Sequence, residues 1–470
     1  MYNSNPAKPS VDETTVEHSP DADIQEQESI FNAFVVTVQH LFGGFHRLFQ
    51  GVTDPRHPAY ITYPLPALMA TGVLMFLLRL GSRRQVGNLL RGNSASAAKY
   101  QILFGAESCP HGDTLNYLYA RSDVAEVQEV VTGMTESLIR RKMLYRHRLL
   151  DKHFLVVIDG TGMLSFSERH CPYCMTRTYR GYTCYYHPVL EAKLVTPTGF
   201  VFSLMTEFIE NPRANPTKQD CELKAFYRLA ERLKQRFRRL PICLLLDGLF
   251  AGGPTFSICE KYHWKYLIVL QEDDLPFVNE EFALLSQLPP ETHLVFHTGV
   301  QLEIQQDLRW VNQIAYVDSK QDEHSVSVIE CLETKPDAEQ QLKTTRFKWI
   351  TNFNVTASKV VSLANEGGRL RWKIENEGFN VQKNGGYALE HVFSQDATAG
   401  KIFYLLLQIA HLLSQLIEHG SLFRKAFPKG VGSAKNIAFR LLEAWRNLRL
   451  SLADVQQLLD TRIQIRFAPP

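Results

Sequence analysis

Two carboxylates, Asp159 and Asp247, each close a run of five unbroken apolar residues: Phe154-Leu155-Val156-Val157-Ile158 before the first, Ile242-Cys243-Leu244-Leu245-Leu246 before the second. Short continuous runs of this kind predict strands buried on both faces. A charge at the end of such a strand lies at the rim of the sheet, where open α/β sheets place their sites. Either Asp-Gly pair alone also suits an ordinary turn; together they suggest a paired-carboxylate site. A third acid is available in Arg369-Leu370-Arg371-Trp372-Lys373-Ile374-Glu375-Asn376-Glu377-Gly378-Phe379. Arg371 and Glu375 are four apart and share a helical face. Trp372 and Phe379, seven apart, are expected together on the apolar side, anchoring a helix that holds Glu375 against the rim.

Carboxylates at one rim suit Mg²⁺, or Mn²⁺, which takes oxygen ligands and recruits substrate phosphates. Two such ions serve in-line phosphoryl transfer by assisting both the attacking and the leaving oxygen. The chain has no Gly-rich phosphate loop of the kind nucleotide-hydrolysing motors use. A second metal chemistry is suggested by Cys171-Pro172-Tyr173-Cys174 and Cys184-Tyr185-Tyr186-His187. Two tight ligand pairs separated by a short loop fit a tetrahedral Zn²⁺ site formed by Cys171, Cys174, Cys184 and His187, with His170 in reserve. Its expected role is structural, stapling the hairpin between the first two core strands.

The elements that must position these groups follow from patterning. At 470 residues, with 45% hydrophobic and 21% charged residues, the chain can bury a large core and form two or three domains. Residues 1–27, polar and acidic with Pro6, Pro9 and Pro20, are expected to form a disordered arm. Residues 28–152 read as a helical DNA-binding region, with helices over 30–52, 65–90 and 122–150. The apolar stretch 68–80 is too short for a membrane span and predicts a buried helix. Residues 153–270 read as three antiparallel strands, helix, strand, helix, strand, interrupted by a Cys-rich insert at 168–188. Residues 271–345 read as a β-rich insertion, 346–395 as the second part of the core, and 396–470 as a helical C-terminal region. The expected class is therefore α/β: an RNase H-like mixed sheet flanked by helices, the fold of enzymes that cut or join nucleic acids.

The net charge of +2 is nearly balanced, so a nucleic-acid surface must come from local clusters. Arg140, Arg141, Lys142, Arg146 and Arg148 form one, and residues 424–446 carry another. Such a cationic stripe is either a solvated face or a phosphate-binding one. No basic-then-apolar leader opens the chain, so a cytoplasmic location is expected, with no membrane partner.

These features resemble the DDE-type transposases of bacterial insertion sequences, in the group with a β-strand insertion between the second Asp and the Glu. The resemblance spans roughly residues 30 to 450. It is carried by Val157-Ile158-Asp159-Gly160-Thr161, Leu245-Leu246-Asp247-Gly248, Lys218-Gln219-Asp220-Cys221-Glu222 and the stretch from Arg369 to Lys383. It implies that Asp159 bridges two Mg²⁺ ions while Asp247 and Glu375 each complete one. It also implies cut-and-paste DNA transposition, with double-stranded DNA (terminal inverted repeats and target) as partner and a homodimer on paired ends. The family's Tyr, Arg, Glu, Lys signature is matched at Arg371 and Glu375. Gly368 stands at the Tyr position and Gln382 at the Lys position, with Lys383 one residue late as the DNA-phosphate contact. Glu377 remains an alternative third acid. Trp310, in the insertion, lies where relatives use an aromatic to hold a flipped base; core packing is the competing role. Competing functions are a catalytically inactive, transposase-derived DNA-binding protein and a nuclease without strand joining.

Overall fold

The computed structural model describes residues 20–212, 218–288, 292–461 and 463–467. At its centre is a mixed, open ten-stranded sheet. The strands are β1 (Phe154–Phe166), β2 (Met175–Tyr179), β3 (Tyr182–Val195), β4 (Val201–Phe208), β5 (Ile242–Leu246), β6 (Lys265–Val269), β7 (His293–Thr298), β8 (Ile304–Val317), β9 (Glu323–Pro336) and β10 (Leu342–Thr351). The path runs β2-β3-β1-β5-β6-β10-β9-β8-β7, and β4 pairs with β3 beyond the end of β2. β1 is antiparallel to β3 and parallel to β5, which is parallel to β6. Residues 153–270 follow the expected order with one strand added: β2, inside the Cys-rich insert, makes four strands before the first helix of this region.

Helices α1 (Pro20–Phe42), α2 (Gly44–Leu48), α3 (Leu65–Leu77), α4 (Arg83–Leu89), α5 (Ser94–Phe104), α6 (Gly112–Tyr119) and α7 (Val124–Arg140) precede the sheet. Helices α8 (Glu222–Arg236), α9 (Gly253–Tyr262) and α10 (Pro276–Leu285) interleave with it. After β10 come α11 (Ala357–Ser362) and α12 (Val381–Asn384), joined by two π-helical segments and a 3₁₀ turn, and then α13 (Ala397–His419), α14 (Ser421–Ala426), α15 (Ala434–Asn447) and α16 (Leu452–Asp460).

Strand alternation divides the core in two, because successive side chains of a strand face opposite sides. Phe154, Val156 and Ile158 of β1, with Ile242, Leu244 and Leu246 of β5, point into a cluster shared with the N- and C-terminal helices and with α8 and α9. Leu155, Val157, Cys243 and Leu245 point the other way, against Leu363, Leu370, Ile374 and Phe379 of the irregular helical stretch between α11 and α12. Asp159 and Asp247 continue the second series. Parity alone therefore sends both acids toward the segment that carries Glu375.

Several expectations change. Residues 20–27, assigned to a disordered arm, belong to α1; Pro20 opens that helix with a preset φ. Residues 1–19 lie outside the described residues. The N- and C-terminal helices form one layer rather than two regions. Trp445 of α15 packs against Phe31, Phe34 and Phe104, and the buried Lys99 of α5 donates to the carbonyls of Trp445 and Leu448. The expected helix over 65–90 is two helices, broken where Arg79 and Gly81 take positive φ. The 122–150 helix ends at Arg140. Its N-cap Asp123 accepts from the Ala125 N–H, and Glu126 accepts from the backbone and the hydroxyl of Thr53. The β-rich insertion supplies β7, β8, β9 and the start of β10, which extend the central sheet. Trp310 is buried in the second cluster, which gives it the packing role. α3 is buried along nearly its whole length, as expected. α13 is long and apolar enough to cross a membrane, but 89% of its most apolar window is buried inside the protein. It is the central helix of the larger core.

Gly367 and Gly368 allow the irregular stretch to press on the sheet. A Cβ at Gly368 would overlap the Trp349 ring of β10, so the Tyr of the family signature has no room there. Gly368→Ala is expected to cost about 1–3 kcal/mol through overpacking, read as a lower melting temperature. An unchanged melting temperature would show that this contact yields freely.

Candidate active site

β1 does not stop at Asp159, as a strand-end reading implies. It continues in a hairpin with β3 to Phe166; what ends at Val157 is its pairing with β5. Asp159 therefore stands just past the end of the parallel pair. Asp247 follows the last residue of β5 and caps the short 3₁₀ turn Gly248–Phe250. Each Asp is aimed by a backbone N–H on one oxygen. Asp159 Oδ1 accepts from Gly160 at 2.9 Å, and Asp247 Oδ1 accepts from Leu249 at 3.1 Å.

The other oxygen of each Asp faces Arg371. One guanidinium nitrogen lies 3.7 Å from Asp159 Oδ2 and 3.4 Å from Asp247 Oδ2, and a second lies 2.9 Å from Glu375 Oε1. Three acids from distant parts of the chain thus converge on one cation. Glu377 is turned away and pairs with Lys373 at 2.7 Å, so Glu375 is the acid this helical stretch brings to the rim. The side chains of Arg371 and Asp159 are 8% and 13% exposed, while those of Asp247 and Glu375 are 33% and 41% exposed. The cluster is closed at its base and open to solvent on the Asp247–Glu375 side.

Burial pushes the Asp159 carboxyl up to about 7; Arg371 opposes the shift, while the charges of Glu375 and Asp247 add to it. A folded-state value above the unfolded one means that the native protein holds a proton the unfolded chain has released. Stability should therefore fall as pH rises from about 4 to about 7, and stay lower above that. Asp159→Asn removes this cost. In EDTA it is expected to stabilise the fold by on the order of 2–4 kcal/mol at pH 8, and by less at pH 5. Melting curves at the two pH values check this; an equal gain at both would contradict it.

Sequence reasoning did not assign a role to Glu222, at the first position of α8. A Cβ on Gly160 would overlap its carboxylate, so Gly160 leaves room for a fourth acid beside Asp159. Burial raises the Glu222 carboxyl, and the charge of Asp247 adds to that shift. The available signal was its place in the Lys218–Glu222 motif.

Trp372 is 50% exposed, and Phe379 alone occupies the apolar side. Regular α-helical spacing predicted both inside; the 3₁₀ and π geometry of residues 363–380 changes the angle per residue and turns Trp372 outward under Arg371. Gln382 is fully buried and bonded to Gln408 and His411, which removes it from any DNA-facing role. Lys383 pairs with Glu390 at 3.0 Å. In the basic cluster, Arg140, Arg141, Lys142 and Arg146 are exposed. Arg146 is bonded to the Phe467 carbonyl, and Arg148 folds onto Tyr145.

Of the expected zinc ligands, the structure gathers Cys171, Cys174 and His187, with His170 as the fourth member. Cys184 instead lies 2.9 Å from the Ser165 hydroxyl. Cys184 and His187 are both on β3, and residues three apart on a strand face opposite sides. The C-x2-H spacing would have suited a turn.

The chain matches no protein-family model and no curated protein.

Proposed function

We propose that this chain is a DDE-type DNA transposase with an RNase H-like core, cutting at the ends of a mobile element and joining the freed end to target DNA. The observation that carries the reading is the convergence of Asp159, Asp247 and Glu375 on Arg371 at one rim of the sheet. The order β4-β3-β1-β5-β6, antiparallel on one side of β1 and parallel on the other, supports the RNase H-like assignment.

The donor set fits hard divalent cations. It offers carboxylate oxygens from three separate elements, with Glu222 as a fourth beside them, against one guanidinium. Asp159, Asp247 and Glu375 would hold Mg²⁺ or Mn²⁺. When bound, such ions acidify the attacking water and neutralise charge on the leaving oxygen. The chain's own residues do the rest. Gly160 and Leu249 N–H groups fix the two Asp side chains, Arg371 keeps the acids together, and the open Asp247–Glu375 side admits the phosphodiester. In the first reaction water adds to phosphorus and the P–O3′ bond breaks, leaving a 3′-hydroxyl at the element end. In the second that hydroxyl loses its proton and attacks a target phosphodiester, so one P–O bond forms as another breaks. Arg140, Arg141 and Lys142, with Lys425, Lys429 and Lys435, are the exposed cations proposed to bind DNA; a dimer on paired ends would bring two such sites together.

The test uses a supercoiled plasmid carrying the DNA that flanks the gene, with precut ends in a parallel reaction. Mg²⁺-dependent cutting at the flanks and joining of precut ends are expected. Cutting without joining would make the protein a nuclease. Binding without either would make it a non-catalytic relative.

A further inference from the structure

We propose that His170, Cys171, Cys174 and His187 bind one Zn²⁺, and that this ion locks the outer end of the β1–β3 hairpin to the chain entering α8. The inference stands on this cluster and not on the catalytic reading. The four ligand atoms lie within 4.8 Å of one another. The Cys171 and Cys174 sulfurs are 3.3 Å apart, and His187 Nε2 is 3.4 and 3.5 Å from them. His170 Nδ1 is 3.4 Å from the Cys174 sulfur. A tetrahedral Zn²⁺ with bonds of about 2.3 Å to sulfur and about 2.0–2.1 Å to nitrogen needs edges of roughly 3.3–3.8 Å. The four separations just given are therefore within about half an ångström of those edges before any adjustment.

The surroundings are those of a built site. His187 turns its second ring nitrogen toward Glu210 Oε1, at 3.9 Å, and that oxygen is buried with no hydrogen-bond partner among the described residues. A carboxylate behind a ligating histidine fixes its tautomer and strengthens the metal bond. Lys401 of α13 holds the other Glu210 oxygen at 2.6 Å. His170 is seated against Phe166, the last residue of β1, with ring centroids 3.8 Å apart. All eight cysteines are free thiols. Two imidazole nitrogens aimed at the Cys171–Cys174 pair favour a metal over a redox disulfide.

The ion would act beyond the hairpin. Asn211 donates from its side chain to the Cys174 carbonyl at 2.8 Å and accepts from the Asp220 N–H at 3.2 Å. Gln219 clamps both the N–H and the carbonyl of Thr176, at 2.7 and 2.9 Å. Asp220 and Gln219 lead directly into α8, whose first residue, Glu222, reaches the acidic rim. Zinc would thus fix the start of α8 by restraining Cys174 and Thr176.

Metal analysis of the purified full chain tests this without DNA or Mg²⁺, so its outcome is independent of the transposase reading. About one zinc per chain is expected. Cys174→Ser and His170→Ala should each fall below about 0.2 per chain, while Cys184→Ser should keep its zinc. Should a ligand variant fail to fold, Co²⁺ exchanged into the wild-type chain gives a second reading: tetrahedral d–d bands with sulfur-to-cobalt charge transfer. Folded wild-type protein without zinc, a Cys171–Cys174 disulfide in its mass spectrum, or zinc lost in Cys184→Ser but kept in His170→Ala would each overturn the proposal.

Discussion

Asp159→Ala, Asp247→Ala and Glu375→Ala are each expected to reduce Mg²⁺-dependent strand cleavage by on the order of 10³-fold or more, while leaving DNA binding in place. The reason is geometric. Each acid comes from a different element and all three contact Arg371, whereas Glu377 is held by Lys373. The basic residues proposed to bind DNA belong to α7 and to the α14–α15 region, away from the acids in sequence and in role. Gel shifts with flanking DNA should therefore match wild type within a few fold. Glu377→Ala, by contrast, should cut normally. Cleavage retained in Asp159→Ala, or lost in Glu377→Ala but kept in Glu375→Ala, would remove the catalytic assignment.

Arg371→Ala carries the second large effect, on stability. It leaves three carboxylates facing one another with no counter-charge. Breaking a fully buried pair costs about 3–5 kcal/mol; here the side chains of Asp247 and Glu375 are open enough to water to bring that to about 2–3 kcal/mol. The loss should be largest in EDTA, because a divalent ion can take over the role of the guanidinium. Bound Mg²⁺ or Mn²⁺ at a hundredfold excess over its Kd returns about 2.7 kcal/mol. Melting curves of wild type and variant, each with EDTA and with Mn²⁺, read this directly. A destabilisation that Mn²⁺ leaves untouched would show that the acids do not share a cation.

Much of this site was legible before any fold was available, for definite physical reasons. The apolar runs at 154–158 and 242–246 are buried on both faces, and the carboxylate after each run stands just past the end of the parallel β1–β5 pair. The Arg371–Glu375 spacing survives the irregular helix because the two side chains hold each other. Other features depended on contacts that local spacing cannot express. Trp372 faces water because residues 363–380 alternate π and 3₁₀ turns, a consequence of Gly367 and Gly368 being driven against Leu267 and Trp349. Cys184 is excluded from the thiol cluster because β2 and β3 form a regular hairpin there, so strand parity overrides the motif. The short runs of residues 271–345 reveal pairing tendency but not partner, so their place in the central sheet depends on contacts beyond local spacing; residues 346–351, expected in the core, include the part of β10 that pairs with β6. Glu222 was overlooked because its place depends on Gly160, a residue whose contribution is the space it leaves.

Asp159, Asp247 and Glu375 are proposed to share a divalent cation. Crystals of the full chain soaked in Mn²⁺, with anomalous scattering recorded at the manganese edge, test it most directly. An anomalous peak within bonding distance of all three carboxylates is expected, absent from Asp159→Asn crystals treated alike. Wild-type crystals with no peak there, or a peak that survives in Asp159→Asn, would contradict it.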